Sequence, residues 1–133
     1  MTDTEATSTI AEAGYVFVYG TLKQGCRNHH WMRGTPCLGQ AQTVASYALY
    51  LDQRIPFLYK SEPRYPVQGE LYHVDAAQLA HLDVLERHPE WYMRQQIAVQ
   101  RGDGSVVQAW AYFCPVPIGT LLAQGLYQEV FAD

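Results

Sequence analysis

VQGELYHVDAAQLAHLDVLER, residues 67–87, changes its period half-way along and so decides the fold. Its first part, Val67–Val74, alternates through Val67, Leu71 or Tyr72, and Val74, with Gly69 inside. That pattern describes a strand bent at a glycine. Asp75 then stands as a helix N-cap, and Gln78 three residues on completes a capping-box-like pair. The spacing predicts a helix from about Ala76 to Arg87, ended by Pro89, because the residue before a proline avoids helical dihedrals. Leu79, Leu82 and Glu86 follow one another in steps of three and four, so they share one stripe of that helix.

Upstream, Tyr15–Tyr19 (YVFVY) is an unbroken aromatic and β-branched run, read as a buried strand that Gly20 stops. Residues 20–35 hold three glycines and no period, the mark of a loop with room for one helical turn. Residues 43–51 read as a strand, Ile55–Tyr59 as a short one placed at an edge or bend by Pro56, and 61–66 as a connection. Downstream, 92–100 and 105–113 are strand-like and flank the hairpin signal RGDGS. Residues 118–124 suggest a short helix. One helix among many short strands excludes a doubly wound parallel sheet. It implies an α+β domain whose antiparallel strands curl towards a barrel.

Composition agrees with a folded domain. Of 133 residues, 48% are apolar and 17% charged, the reverse of the balance that favours disorder. A net charge of -4 and nine scattered Lys and Arg argue against nucleic acid as a partner. Cys26, Cys37 and Cys114 are too widely spaced for a redox or zinc motif, which points to reduced thiols and a cytoplasmic setting. No stretch nears the ~20 apolar residues of a membrane span. Residues 1–13 are polar, with neither a basic start nor an apolar run, and are expected to form a flexible tail ahead of a single domain at 14–133. His29, His30, His81 and His88 match no metal-ligand spacing, so no metal site is expected.

Two features carry candidate chemistry. Glu86 occupies a stripe position where leucine is expected. A carboxylate drawn into a low-dielectric site has its pKa raised towards the range of a general base. The alternative is a residue that swings out at the helix end or pairs with Arg87 or Arg94. The second feature is Tyr19-Gly20-Thr21-Leu22, directly after the buried strand. Gly20 permits positive φ or a close approach, and successive N–H groups in such a turn form an anion-holding concavity. Gly20–Gly25 also fits the opening of a phosphate loop, but Cys26 and Arg27 stand where Lys and Ser or Thr are required. Trp31, Trp91 and Trp110 are read as core or pocket wall.

These segments together resemble the γ-glutamylcyclotransferase-like family. VFVYGTLKQGCRNHHWM is similar to its opening signature, close to the γ-glutamylamine cyclotransferase branch. The likeness continues through Arg54–Phe57, VQGELYHVD at 67–75 and LDVLERHPEWYMR at 82–94. The resemblance implies a small mixed β-barrel of about five to seven strands with one main helix against it. It implies an enzyme that closes 5-oxoproline from a γ-glutamylamine or related amide, releasing a free amine, with no cofactor or metal. Glu86 falls on the family's catalytic glutamate. Tyr19, Gly20, Thr21 and Leu22 fall on the loop whose backbone holds the substrate α-carboxylate, and Tyr92 and Arg94 on further substrate-site positions. The other reading of the same residues is a non-catalytic module that binds a small carboxylated metabolite or a protein partner.

Overall fold

The computed structural model describes residues 12–128. Seven strands and one α-helix run β1 (Glu12–Val18), β2 (Cys37–Asp52), β3 (Ile55–Tyr59), β4 (Tyr65–Asp75), α1 (Ala76–Leu85), β5 (Met93–Arg101), β6 (Val106–Phe113) and β7 (Thr120–Leu121). The sheet order is β3-β2-β4-β1-β6-β5, and β5 returns to pair with β2 from Ala41↔Arg101 to Thr43↔Val99. That return closes β2, β4, β1, β6 and β5 into a five-stranded barrel. The contact of β1 with β6, at Val16↔Trp110, is parallel, and the other pairings are antiparallel. The barrel is therefore mixed. No helix among the described residues is long and apolar enough to cross a membrane.

YVFVY is apolar at every position because β1 is covered on both faces. Phe17 and Tyr19 join the barrel interior with Leu49, Leu71, Val99 and Phe113. Val16 and Val18 face the other way, into a layer formed with Leu79, Leu82, Tyr92 and Tyr112. Alternation of side chains sends successive residues into two different cores, so no polar position interrupts the run.

The strand boundaries depart from the sequence expectations in several places. Residues 43–51 are only the later part of β2, whose polar, largely exposed first half gives no apolar alternation. Residues 118–124 form no helix: Gly119 has φ of 91°, and Thr120 and Leu121 pair with Leu51 and Tyr50 of β2 as β7. Glu12 and Ala13, expected in the tail, lie in β1; the rest of that tail is outside the described residues.

The start of α1 is as expected, with Asp75 Oδ1 accepting from the Gln78 N–H at 2.8 Å. The Gln78 side chain, however, donates to the Trp31 carbonyl instead of completing a capping box. The helix ends at Leu85, two residues early. Arg87 takes a left-handed φ of 57°, its N–H reaches Val84 O at 3.1 Å, and the His88 N–H reaches Asp83 O at 2.9 Å. This is a Schellman closure with arginine where glycine is usual, and Glu86 is the C-cap.

Gly69 is required for packing. A Cβ there would lie 2.2 Å from Val18 O and 2.8 Å from the Phe17 ring. Gly69→Ala must push β1 away from β4 at the strand end that carries the Tyr19–Leu22 loop. We expect a loss of about 1–3 kcal/mol in stability, the range for overpacking a core, read from chemical denaturation against the wild type.

Candidate active site

The loop leaving β1 passes so close to the start of β3 that a Cβ on Gly20 would lie 2.4 Å from Pro56 Cγ. Close approach to Pro56, rather than positive φ, explains this glycine. Bonds from Lys23 N to Gly20 O (3.1 Å) and from Asn28 N to Thr21 O (3.0 Å) fold the loop back on itself. Lys23 Nζ donates to the Tyr127 carbonyl at 2.5 Å, and Gln24 N to Glu70 Oε1 at 2.9 Å, which ties the loop to the C-terminal segment and to β4. Among the described residues, the N–H groups of Gly20, Thr21 and Leu22 have no hydrogen-bond partner. They remain available as donors.

A cavity of about 190 Å³ lies against this loop. Tyr19, Gly20, Thr21, Leu22, Glu86 and Tyr92 all line it. Six of the seven residues singled out in the sequence thus converge from a loop, the end of a helix and the segment before β5. Arg94 does not line it. Arg94 makes two bonds to Asp83, at 2.7 and 3.1 Å, and its guanidinium lies 4.3 Å from the centroid of the Trp110 ring. It braces α1 against β5 and β6. Trp31 and Trp91 are largely exposed, against the expectation of core or pocket wall. His29 contacts the Leu22 carbonyl through Nδ1 at 2.9 Å, and His88 Nδ1 accepts from Arg94 N at 3.1 Å, so both are built into the local backbone.

Glu86 has a distinctive setting. Among the described residues its carboxylate has neither a hydrogen bond nor an ion pair, and burial pushes its pKa up to about 7. Asp83, one turn earlier, has the opposite fate. Burial opposes its charge, but bonds from Arg94 and Tyr112 outweigh it and hold the carboxyl below its ordinary range. Three tyrosines complete the wall, and each phenolic hydrogen is already placed: Tyr19 on Tyr112 O (2.7 Å), Tyr92 on Pro56 O (3.1 Å), Tyr112 on Asp83 Oδ1 (2.7 Å). Burial raises all three phenol pKa values.

Sequence reasoning missed Tyr112, Arg27 and Asn28 as cavity residues. Asn28 did carry a signal, as the asparagine of the Asn-His pair in the opening signature. Tyr112 carried none, since it reads as one more aromatic of a buried strand. Among the described residues no group of three or more His, Cys, Asp or Glu is placed to hold a metal.

Residues 16–129 match the family model for gamma-glutamyl cyclotransferase, AIG2-like proteins. The chain belongs to this family. It is 35% identical over 116 residues to the Methanocaldococcus jannaschii protein named "Putative gamma-glutamylcyclotransferase MJ1514", spanning 86% of this chain and 96% of that one. It is 37% identical over 100 residues to gamma-glutamylaminecyclotransferase C of Danio rerio, covering 68% and 66% of the two chains. The crystal structure of a mouse AIG2-like protein superposes with a TM-score of 0.70 at 35% identity, over 75% of this chain and 76% of that one. The barrel is thus the family's fold, and the enzyme class is cyclotransferase.

The setting of Glu86 has a measurable consequence for stability. With a folded pKa of about 7 against an ordinary 4.5, the folded state holds the proton more tightly than the unfolded chain. Stability is therefore lost as pH rises from about 4.5 through 7. Glu86→Gln removes that loss. From pH 4 to pH 8, the variant should gain roughly 2–3 kcal/mol relative to wild type, measured by denaturant titration at each pH.

Proposed function

We propose that the protein releases 5-oxoproline and a free amine from a γ-glutamylamine or related γ-glutamyl amide, with Glu86 as general base. The observation that carries this reading is a partnerless carboxylate of pKa about 7, sharing one cavity with a loop whose N–H groups are unbonded among the described residues. A γ-glutamyl head group is a zwitterion. Its α-carboxylate suits the donors of Gly20, Thr21 and Leu22, which would leave its α-ammonium beside Glu86. The cavity is smaller than the roughly 300–1,000 Å³ of sites for drug-sized ligands, which suits a head group with the leaving amine at the mouth.

The chemistry follows from that placement. Glu86 takes a proton from the α-ammonium, and the freed amine attacks the γ-carbonyl carbon of the same molecule. A carbon–nitrogen bond forms, closing the ring, and the original amide bond breaks. The protonated Glu86 returns its proton to the leaving nitrogen. Overall the ring nitrogen sheds two protons, the released amine carries both away as an ammonium, and Glu86 ends as it began. Nucleophile and electrophile share one molecule, so selecting the folded conformer is a large part of the catalysis. Near pH 7 Glu86 is present in both protonation states, which suits a group that must accept and then donate.

Purified protein incubated with a panel of γ-glutamyl amines and dipeptides should release 5-oxoproline. Glu86→Gln should lower kcat/KM by about 10²–10⁴-fold. Wild-type activity should climb with pH up to about 7 as Glu86 ionises. Undiminished activity in the variant would remove Glu86 from the mechanism, and silence across the panel would leave a binding module.

A further inference from the structure

The reaction just proposed develops negative charge on the γ-carbonyl oxygen, and that charge needs a donor. The tyrosines lining the cavity are poor candidates. A phenol has one hydrogen, and those of Tyr19, Tyr92 and Tyr112 are held by Tyr112 O, Pro56 O and Asp83 Oδ1. Thr21 also lines the cavity and carries a hydroxyl. Asn28 Nδ2 donates to Thr21 Oγ1 at 3.0 Å, and the Asn28 N–H donates to the Thr21 carbonyl at 3.0 Å, so the two residues are locked together. With Oγ1 accepting from Asn28, the Thr21 hydrogen cannot point back at that amide. Among the described residues it has no acceptor.

From this arrangement we infer that Thr21 is a catalytic residue whose hydroxyl donates to the substrate's γ-carbonyl oxygen, and that Asn28 is the positioning residue that turns its hydrogen into the cavity. The chemistry of the product supports the placement. In 5-oxoproline the carboxylate-bearing carbon and the carbonyl carbon are both bonded to the ring nitrogen. The two oxygen-bearing groups therefore flank the atom that yields its proton to the base, and their donors must be neighbours. Thr21 offers an N–H and a hydroxyl from a single residue of the cavity that Glu86 also lines, which satisfies that condition. The inference rests on the proposed ring closure for its role in turnover, but the donor itself is also testable by binding.

The decisive variants are close in shape to the wild type. Thr21→Val removes the hydroxyl, Thr21→Ser keeps it, and Asn28→Asp replaces the amide donor by an acceptor that draws the Thr21 hydrogen to itself. Thr21→Val should lower kcat about 10²-fold with little change in KM, the sign of an interaction strongest in the transition state. Thr21→Ser should stay within a few-fold of wild type. Asn28→Asp should lower kcat at least tenfold in the Thr21 background and cause little further loss beside Thr21→Val, with folding checked by thermal unfolding. Calorimetric titration with 5-oxoproline provides the second readout, since its lactam carbonyl occupies the same place. Thr21→Val and Asn28→Asp should both weaken that affinity several-fold.

If Asn28→Asp is silent, Asn28 accepts from Thr21 and the proposal falls. A rise in KM at constant kcat in Thr21→Val would reassign the hydroxyl to ground-state carboxylate binding and also overturn it. Absence of turnover together with Thr21-dependent lactam binding would sink the reaction but sustain the donor. Failure of the wild type to bind the lactam would sink the donor as well.

Discussion

The site hangs from β1, a strand buried on both faces. Phe17 and Tyr19 are committed to the barrel interior, and Val16 and Val18 to the layer beneath α1. A strand held this way between β4 and β6 has almost no freedom to shift register, because a one-residue slip would exchange two unlike sets of partners. The loop that follows inherits that rigidity. Gly69 lets β4 lie close against β1, and Gly20 lets the loop press against Pro56, so close backbone approach operates at both places. The donors of Gly20, Thr21 and Leu22 are thus anchored by packing together with the hydrogen bonds that their carbonyls accept.

The opposite wall depends on a contrast between two carboxylates on one helix. Asp83 and Glu86 are three residues apart, yet Asp83 has Arg94 and Tyr112 while Glu86 has no partner among the described residues. The Asp83 cluster anchors the end of α1 to β5 and β6. That anchorage fixes the helix end that presents Glu86 to the cavity.

Most of the barrel was legible because its strands are apolar or alternate and its turns carry glycine signals. β3 was readable from IPFLY, and the β5–β6 hairpin from RGDGS. The first half of β2 was not, because its outward residues are polar and its pairing with β4 is decided by distant chain. The end of α1 was misplaced because Arg87 adopts a left-handed conformation without the glycine that announces one. Glu86 was nevertheless read on the correct face. Its N–H still bonds to Leu82 O at 2.8 Å, so the helical phase persists one residue past the last turn. Arg94 shows a different limit: a motif position reveals that a residue matters, while its partner on another element, here Asp83, is visible only in the fold. Asp83 needed no explanation in the sequence, and only the tertiary contact with Arg94 gives it one.

The distribution of donors and acceptors around the cavity then narrows what can occupy it. Three phenols line the wall, but each has donated its hydrogen elsewhere, so towards the interior they offer only oxygen lone pairs and aromatic surface. Glu86 adds an acceptor, or a donor when protonated. Hydrogen-bond donors come from the loop from Gly20 to Leu22 and from Arg27 and Asn28 beyond it. A neutral apolar guest would leave the loop donors unpaired, and a cation alone would find only the Glu86 side. A guest with an anionic oxygen at one end and an ammonium at the other satisfies both walls at once. The polarity of the cavity thus suits the zwitterionic head group of the proposed substrate, on grounds separate from the family match.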